Sequence, residues 1–187
     1  MTFASGAGRG ALGGIIVVLG TVALFWLSVN WMGITSLGGG SPISAFGGLL
    51  LFGMALVAAS LVALGGTEIP AWRVALAAVA GHLAAFILVF GLIQQVLLDS
   101  RAFAMDFLLA ALALGCAATM RLAGVGSLVL LSLGVIALWL VAGILRLEDL
   151  PAALLLAITL VHPVLTWTVL SAAAVGPMRL QESHMKR

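Results

Sequence analysis

The sequence predicts an all-α integral membrane protein, a bundle of six transmembrane helices that forms a single domain over residues 1–187. Apolar residues make up 64% of the chain and charged residues only 7%, whereas charged residues are about a quarter of a soluble domain. Six apolar runs follow one another, each close to the roughly 20 residues that cross a bilayer. Backbone amides in lipid need partners within their own segment, so these runs are expected to be helices. The composition excludes a soluble globular enzyme.

The six predicted spans are separated by charged residues or by glycine and proline. They cover residues 11–32, 44–66, 72–98, 103–120, 122–145 and 151–175, and residues 176–187 are expected to form a cytoplasmic tail. The first span ends before a glycine-rich stretch at 38–42, and it is longer than the apolar core of a cleaved signal peptide. The second span stops before Pro70 and the third at Asp99. The fourth stops at Arg121 and the fifth at Arg146. The loops between the spans are too short to hold a separate active site.

Positive charges are divided unevenly between the two sides of the predicted bundle. With six spans, both termini and the second and fourth loops lie on the same side. That side carries six of the eight Lys and Arg residues, namely Arg9, Arg73, Arg121, Arg179, Lys186 and Arg187. The other side carries Arg101 and Arg146. Because cytoplasmic loops carry the excess of Lys and Arg, both termini are predicted to be cytoplasmic, in a bacterial inner membrane.

Small side chains recur at four-residue spacing along three of the predicted spans. They form the series Ala55, Ala59 and Ala63; Ala77, Gly81 and Ala85; and Ala111, Gly115 and Thr119. Such ridges let helices approach closely in lipid, where packing drives association. We favour packing within the bundle as their role. A docking face for a partner membrane subunit is the alternative.

Chemical machinery is sparse in the predicted spans. No Asp, Glu, Lys or Arg falls in the central part of any span, which argues against a stand-alone ion-coupled pump because such residues mark ion and proton paths. The sequence holds no Gly-x-Ser-x-Gly elbow, no HExxH and no phosphate-binding loop. A single cysteine, Cys116, allows no intramolecular disulfide and no thiol metal site. We expect no catalytic residues, no metal site and no nucleic-acid partner.

Two histidines are predicted at mid-depth among the few polar residues of the spans. Those polar residues are Asn30, His82, Gln94, Gln95, Thr159, His162, Thr166 and Thr168. His82 follows Trp72 by 10 residues and His162 follows Pro151 by 11, which places them about 15 Å and 16 Å along their helices. Two such histidines are the minimum for axial ligation of one haem b. A hydrogen bond to a neighbouring helix is the simpler explanation, and both stay open.

Pro163 follows His162 directly and predicts a kink in the sixth span. Proline removes one helix hydrogen bond and frees a carbonyl one turn earlier, near Thr159. Such kinks shape solute cavities in transporters, and they also occur as plain packing features, which we favour. A stand-alone carrier or binding module for a small neutral solute is therefore a further alternative.

Glycines and prolines give the first five spans a recognisable pattern. Gly13, Gly14 and Gly20 lie in the first span, the loop 38–42 ends in proline, Gly47 and Gly53 lie in the second span, Trp72 and Arg73 open the third, and 146–151 ends in Leu-Pro. On these features residues 11–151 resemble the small membrane subunit of tripartite tricarboxylate transporters. The resemblance implies an accessory subunit beside a larger permease subunit and a periplasmic binding protein, with no catalytic residues to carry over. The sixth span lies beyond this pattern.

We therefore expect a small, non-enzymatic inner-membrane subunit that packs against a larger membrane partner, in a transport system. The expected environment is the lipid bilayer, and no bound cofactor is required. A haem b electron-transfer subunit with His82 and His162 as ligands is the alternative with a cofactor.

Overall fold

A computed structural model describes residues 3–30, 42–94, 103–126, 129, 133 and 151–185. Its helices are α1 (Phe3–Asn30), α2 (Pro42–Ala63), α3 (Ala71–Gln94), α4 (Phe103–Leu122) and α5 (Ala152–Met185). The described part of the chain contains no strand. The all-α prediction is confirmed for these residues.

Three of the helices are long and apolar enough to cross a membrane. The qualifying stretches are Ala4–Leu24 in α1, Ala71–Val89 in α3 and Leu156–Ala174 in α5. Two further helices contribute shorter apolar stretches, Leu50–Ala63 and Leu108–Leu122. Of the fifth predicted span, 122–145, the structure describes 122–126, 129 and 133. Leu122 is the last residue of α4 and 123–126 form the turn after it, which corrects the predicted start at 122. The chain is a membrane protein by these three helices, and six crossings remain a prediction.

Two helix ends differ from the predicted spans. Helix α1 begins eight residues before the predicted span, although Gly6, Gly8 and Gly10 are poor helix formers. Its packing against α5 stabilises this turn, because helix stability in proteins comes mostly from tertiary contacts. Helix α5 continues past Gly176 and Pro177 to Met185, whereas its apolar stretch ends at Ala174, next to the predicted end of the span at 175. Proline removes only one helix hydrogen bond, and the residues after it are mostly good helix formers.

Helix α1 runs antiparallel to both α2 and α5 and approaches them at glycines. On α1, a Cβ built on Gly13 would lie 2.9 Å from the Ala59 carbonyl of α2, and one on Gly20 would lie 2.6 Å from Ala55 Cβ. Later positions on α1 therefore contact earlier positions on α2, so the two helices are antiparallel. Helix α5 is also antiparallel to α1, because Gly10 lies at Ser171 and Gly14 at Val164. The start of α1 and the later part of α5 thus share one end of the bundle.

Large and small side chains are distributed as in a lipid-facing bundle. Helix α4 is the innermost of the described helices, and its described side chains from 109 to 120 are buried or half-buried. Large aliphatic side chains lie outside, and those at least half exposed include Leu12, Leu19, Leu50, Met54, Leu76, Leu83, Ile87, Leu156 and Leu165. The interior combines alanines and a few polar side chains with larger apolar ones such as Leu112, Met120 and Trp167. This arrangement suits hydrocarbon as the surrounding solvent.

Candidate functional site in the bundle interior

His82 lies in the middle of α3 and is 3% exposed. Its Nδ1 atom lies 2.9 Å from the Ala78 carbonyl oxygen, one turn earlier on the same helix. A carbonyl only accepts, so Nδ1 carries the proton and donates it. Nε2 is buried with no hydrogen-bond partner among the described residues, and a charged ring would be costly there, so the ring is the neutral tautomer whose Nε2 atom is an acceptor. The backbone of α3 therefore fixes both the orientation and the tautomer of this imidazole.

Helix α4 packs against the His82 ring. The Thr119 hydroxyl donates to the Gly115 carbonyl at 2.7 Å, and its oxygen lies 3.3 Å from His82 Nδ1. Gly115 leaves the space that the ring needs, because a Cβ there would lie 2.7 Å from His82 Cγ. A Cβ on Gly81 would lie 2.9 Å from the Thr119 amide. The small residues of α3 and α4 thus face each other, as the intramolecular interpretation predicted.

Trp167 of α5 contacts the same imidazole. The two rings are close to parallel, at 8°, with centroids 6.2 Å apart. The indole is fully buried. Within the described part of the chain, neither His82 Nε2 nor Trp167 Nε1 has a hydrogen-bond partner. One acceptor and one donor are therefore buried in the same three-helix junction.

His162 is also buried, at 1% exposure, but in different surroundings. It lines a shallow groove of about 200 Å³ with Ala157, Ile158, Val161 and Leu165. This volume is below the roughly 300–1,000 Å³ of usual ligand pockets. Along α5 it lies about 7.5 Å from Trp167 and about 140° around the axis. The described contacts pair His82 with Trp167, and a haem shared by His82 and His162 stays a prediction.

The backbone around Pro163 packs against α1. A Cβ on Gly14 would lie 2.8 Å from the Pro163 carbonyl oxygen and 2.9 Å from the Val164 amide. Helix α1 thus fills the space on this side of the predicted kink. The contact supports the packing explanation for the proline.

The other polar residues singled out from the sequence have simpler surroundings. Thr159 and Thr166 are buried in α5, and Thr168 donates to the Val164 carbonyl of its own helix at 2.6 Å. Asn30 and Gln94 are the last residues of α1 and α3, and Gln95 lies outside the described residues. Across the ranges that the structure describes, no group of three His, Cys, Asp or Glu residues could hold a metal ion.

Two contributors to the interior were missed by the sequence reasoning. Trp167 lies at mid-helix, whereas membrane tryptophans prefer the interfaces. This unusual position could have indicated from the sequence that Trp167 packs in the interior. Ser171 donates from α5 to the Ala63 carbonyl of α2 at 3.2 Å. A serine in an apolar helix gives no indication of which neighbour it meets.

Comparisons with known proteins add no family: no protein-family model, no curated protein and no solved structure matches this chain.

Proposed function

We propose that the chain is a small, non-enzymatic subunit of a bacterial inner-membrane transport system, with both termini cytoplasmic and a larger membrane protein as its partner. The observation that carries this proposal is how the interior uses its polar groups. Thr119 joins α4 to His82 of α3, and Ser171 joins α5 to α2. These polar groups connect helices rather than line an aqueous path.

The described surface and the sequence resemblance support the same proposal. Large aliphatic side chains are exposed on α1, α2, α3 and α5, and they offer ample apolar area to lipid or to a membrane partner. The features shared with the small membrane subunit of tripartite tricarboxylate transporters favour transport over other membrane systems. The partner is then the larger permease subunit of such a system.

Purification from the native membrane tests the proposal. An affinity-tagged chain extracted in mild detergent is expected to bring down one larger polytopic protein in fixed ratio, and both are expected to be needed for solute uptake in reconstituted vesicles. An unrelated tagged membrane protein of similar length is the control for capture by chance. A chain that transports solute alone in vesicles would contradict the proposal.

A haem b subunit is the second candidate, and one observation favours it. Metal-ligating histidines usually donate their second ring N–H to a carbonyl or carboxylate, as His82 does to Ala78. If this function is correct, protein expressed with added haem precursor has a Soret band that His82→Ala removes. Colourless protein from such cells would reject it.

A further inference from the structure

Three arginines lie at one end of the bundle, each beside the C-terminal turn of a helix. Arg9 donates to the Gly65 carbonyl just after α2. Arg73 lies over the turn after α4, where its Nη2 atom is 3.5 Å from the position of a Cβ on Gly124. Arg121 is in the last turn of α4. We call this end of the bundle the arginine end.

The turn after α4 brings the Arg73 guanidinium to the end of the helix that carries Arg121. The Val125 amide donates to the Met120 carbonyl and the Gly124 amide to the Arg121 carbonyl, both at 3.0 Å. With Gly124 at a φ of +96°, these bonds form a Schellman motif, which ends the helix tightly. The guanidinium of Arg73 is folded onto this turn, and Arg121 lies two to three residues before it.

The three arginines differ in how much of their charge is available. Arg9 is half-buried and bonded to the Gly65 carbonyl, whereas Arg73 and Arg121 are exposed. A guanidinium offers five N–H donors in a planar fork that matches phosphate oxygens. The exposed pair therefore presents guanidinium donors and positive charge at the membrane–water boundary.

An apolar stripe begins next to this pair. Trp72 is 69% exposed, and the exposed residues Leu76, Val79, Leu83 and Ile87 follow it by 4, 7, 11 and 15 positions. At about 100° per residue these positions fall on one face of α3. Indole rings favour the headgroup level. The stripe extends about 22 Å from that level, enough to accompany an acyl chain through its leaflet.

We propose that Arg73 and Arg121 bind the phosphate of one anionic phospholipid, with Trp72 at headgroup level and an acyl chain along the α3 stripe. Phosphate is also present in free anions, and carboxylates of a soluble protein carry similar charge. The stripe favours lipid, because an acyl chain would cover the five exposed apolar side chains, whereas a free anion or an acidic segment in water would not. The site is independent of the transport proposal and requires only that the bundle lies in a membrane.

Quenching by brominated lipid tests the site on the full chain in phosphatidylcholine vesicles. The Trp72 signal is defined as the fluorescence lost in Trp72→Phe. Brominated phosphatidylglycerol is expected to quench it at a lower mole fraction than brominated phosphatidylcholine, by about fivefold for each arginine involved. Arg73→Gln combined with Arg121→Gln is expected to make the two lipids equal.

Two controls make the outcome decisive. Arg179→Gln with Lys186→Gln removes the same charge from the C-terminal region and is expected to keep the lipid preference. The Arg73/Arg121 variant must also keep Cys116 hidden from a thiol-reactive probe, which shows that the bundle is folded. Equal quenching in the unaltered protein would overturn the proposal. Loss of the preference on adding inorganic phosphate would assign the site to a free anion and overturn it as well.

Discussion

Gly115 is the residue on which the interior junction depends most closely. Because Gly115 has no side chain, the His82 ring of α3 fits against α4 and contacts Trp167 of α5. The spacing of Gly115 and Thr119 on one face could be predicted from the sequence, because four residues complete about one turn. Their partners could not, because spacing defines a face and leaves open which helix packs against it.

Gly115→Ala is expected to destabilise the protein by about 1–3 kcal/mol, because the methyl group would overlap His82 between two close-packed helices. Gly91→Ala is the matched control on α3, since nothing lies within 4 Å of a Cβ there. Thermal unfolding in detergent, followed by reaction of the buried Cys116 with a thiol probe, measures both. Equal melting temperatures for the two variants would contradict the packing described here.

Thr119→Val is expected to cost about 0.6 kcal/mol, the average for a hydrogen bond between membrane helices. The valine keeps the shape but removes the hydroxyl beside His82. Thr21→Val is the control, because Thr21 donates to the Val17 carbonyl of its own helix at 2.9 Å. Chemical unfolding of both variants gives the difference. A cost for Thr119→Val no larger than that of Thr21→Val would show that the bond to α3 contributes nothing.

At the scale of elements, α1 and α5 form the closest pair. A Cβ on Gly10 would lie 2.7 Å from Ser171 Cβ, and Gly14 meets the backbone at Val164. Hydrophobic runs predicted where most of the described helices lie, because the bilayer sets their length. They did not predict the early start of α1, which depends on a contact between residues more than 150 positions apart in the sequence.

Combined Gly10→Ala and Gly14→Ala substitutions are expected to separate α1 from α5. Both methyl groups would overlap the α5 backbone, which cannot move aside as a flexible side chain does. The expected result is a melting temperature several degrees lower and faster proteolysis near the start of α1. Gly8→Ala is the control, because its Cβ would have no neighbour within 4 Å. Unchanged proteolysis in the double variant would contradict the α1–α5 contact.

At the scale of the whole molecule, the arginine end predicts orientation. Cytoplasmic loops carry an excess of Lys and Arg, and Arg9, Arg73 and Arg121 lie together at one end. In a Cys116→Ser background, a cysteine at position 186 is expected to react with an impermeant maleimide only after the cells are opened. A cysteine at position 39 is expected to react in intact cells. The reverse pattern would invert the orientation.

The composition predicted the membrane class. The lack of Asp, Glu, Lys and Arg in the middle of the predicted spans led to the expectation of no ion or proton path. The proposed role as a subunit depends on a partner, and no short motif in the sequence specifies one. His82 illustrates the difficulty, since its tautomer and its contact with Trp167 arise only when three helices meet.

Photo-crosslinking in living cells tests the central claim most directly. A photoreactive amino acid replaces one exposed apolar residue at a time, at Leu19, Leu50, Leu83 and Leu165, with the buried Ala111 as the control position. The account predicts that positions on at least one outer face crosslink to the same larger membrane protein, whereas position 111 does not. Crosslinks to lipid alone from every exposed position would contradict a role as a partner-binding subunit.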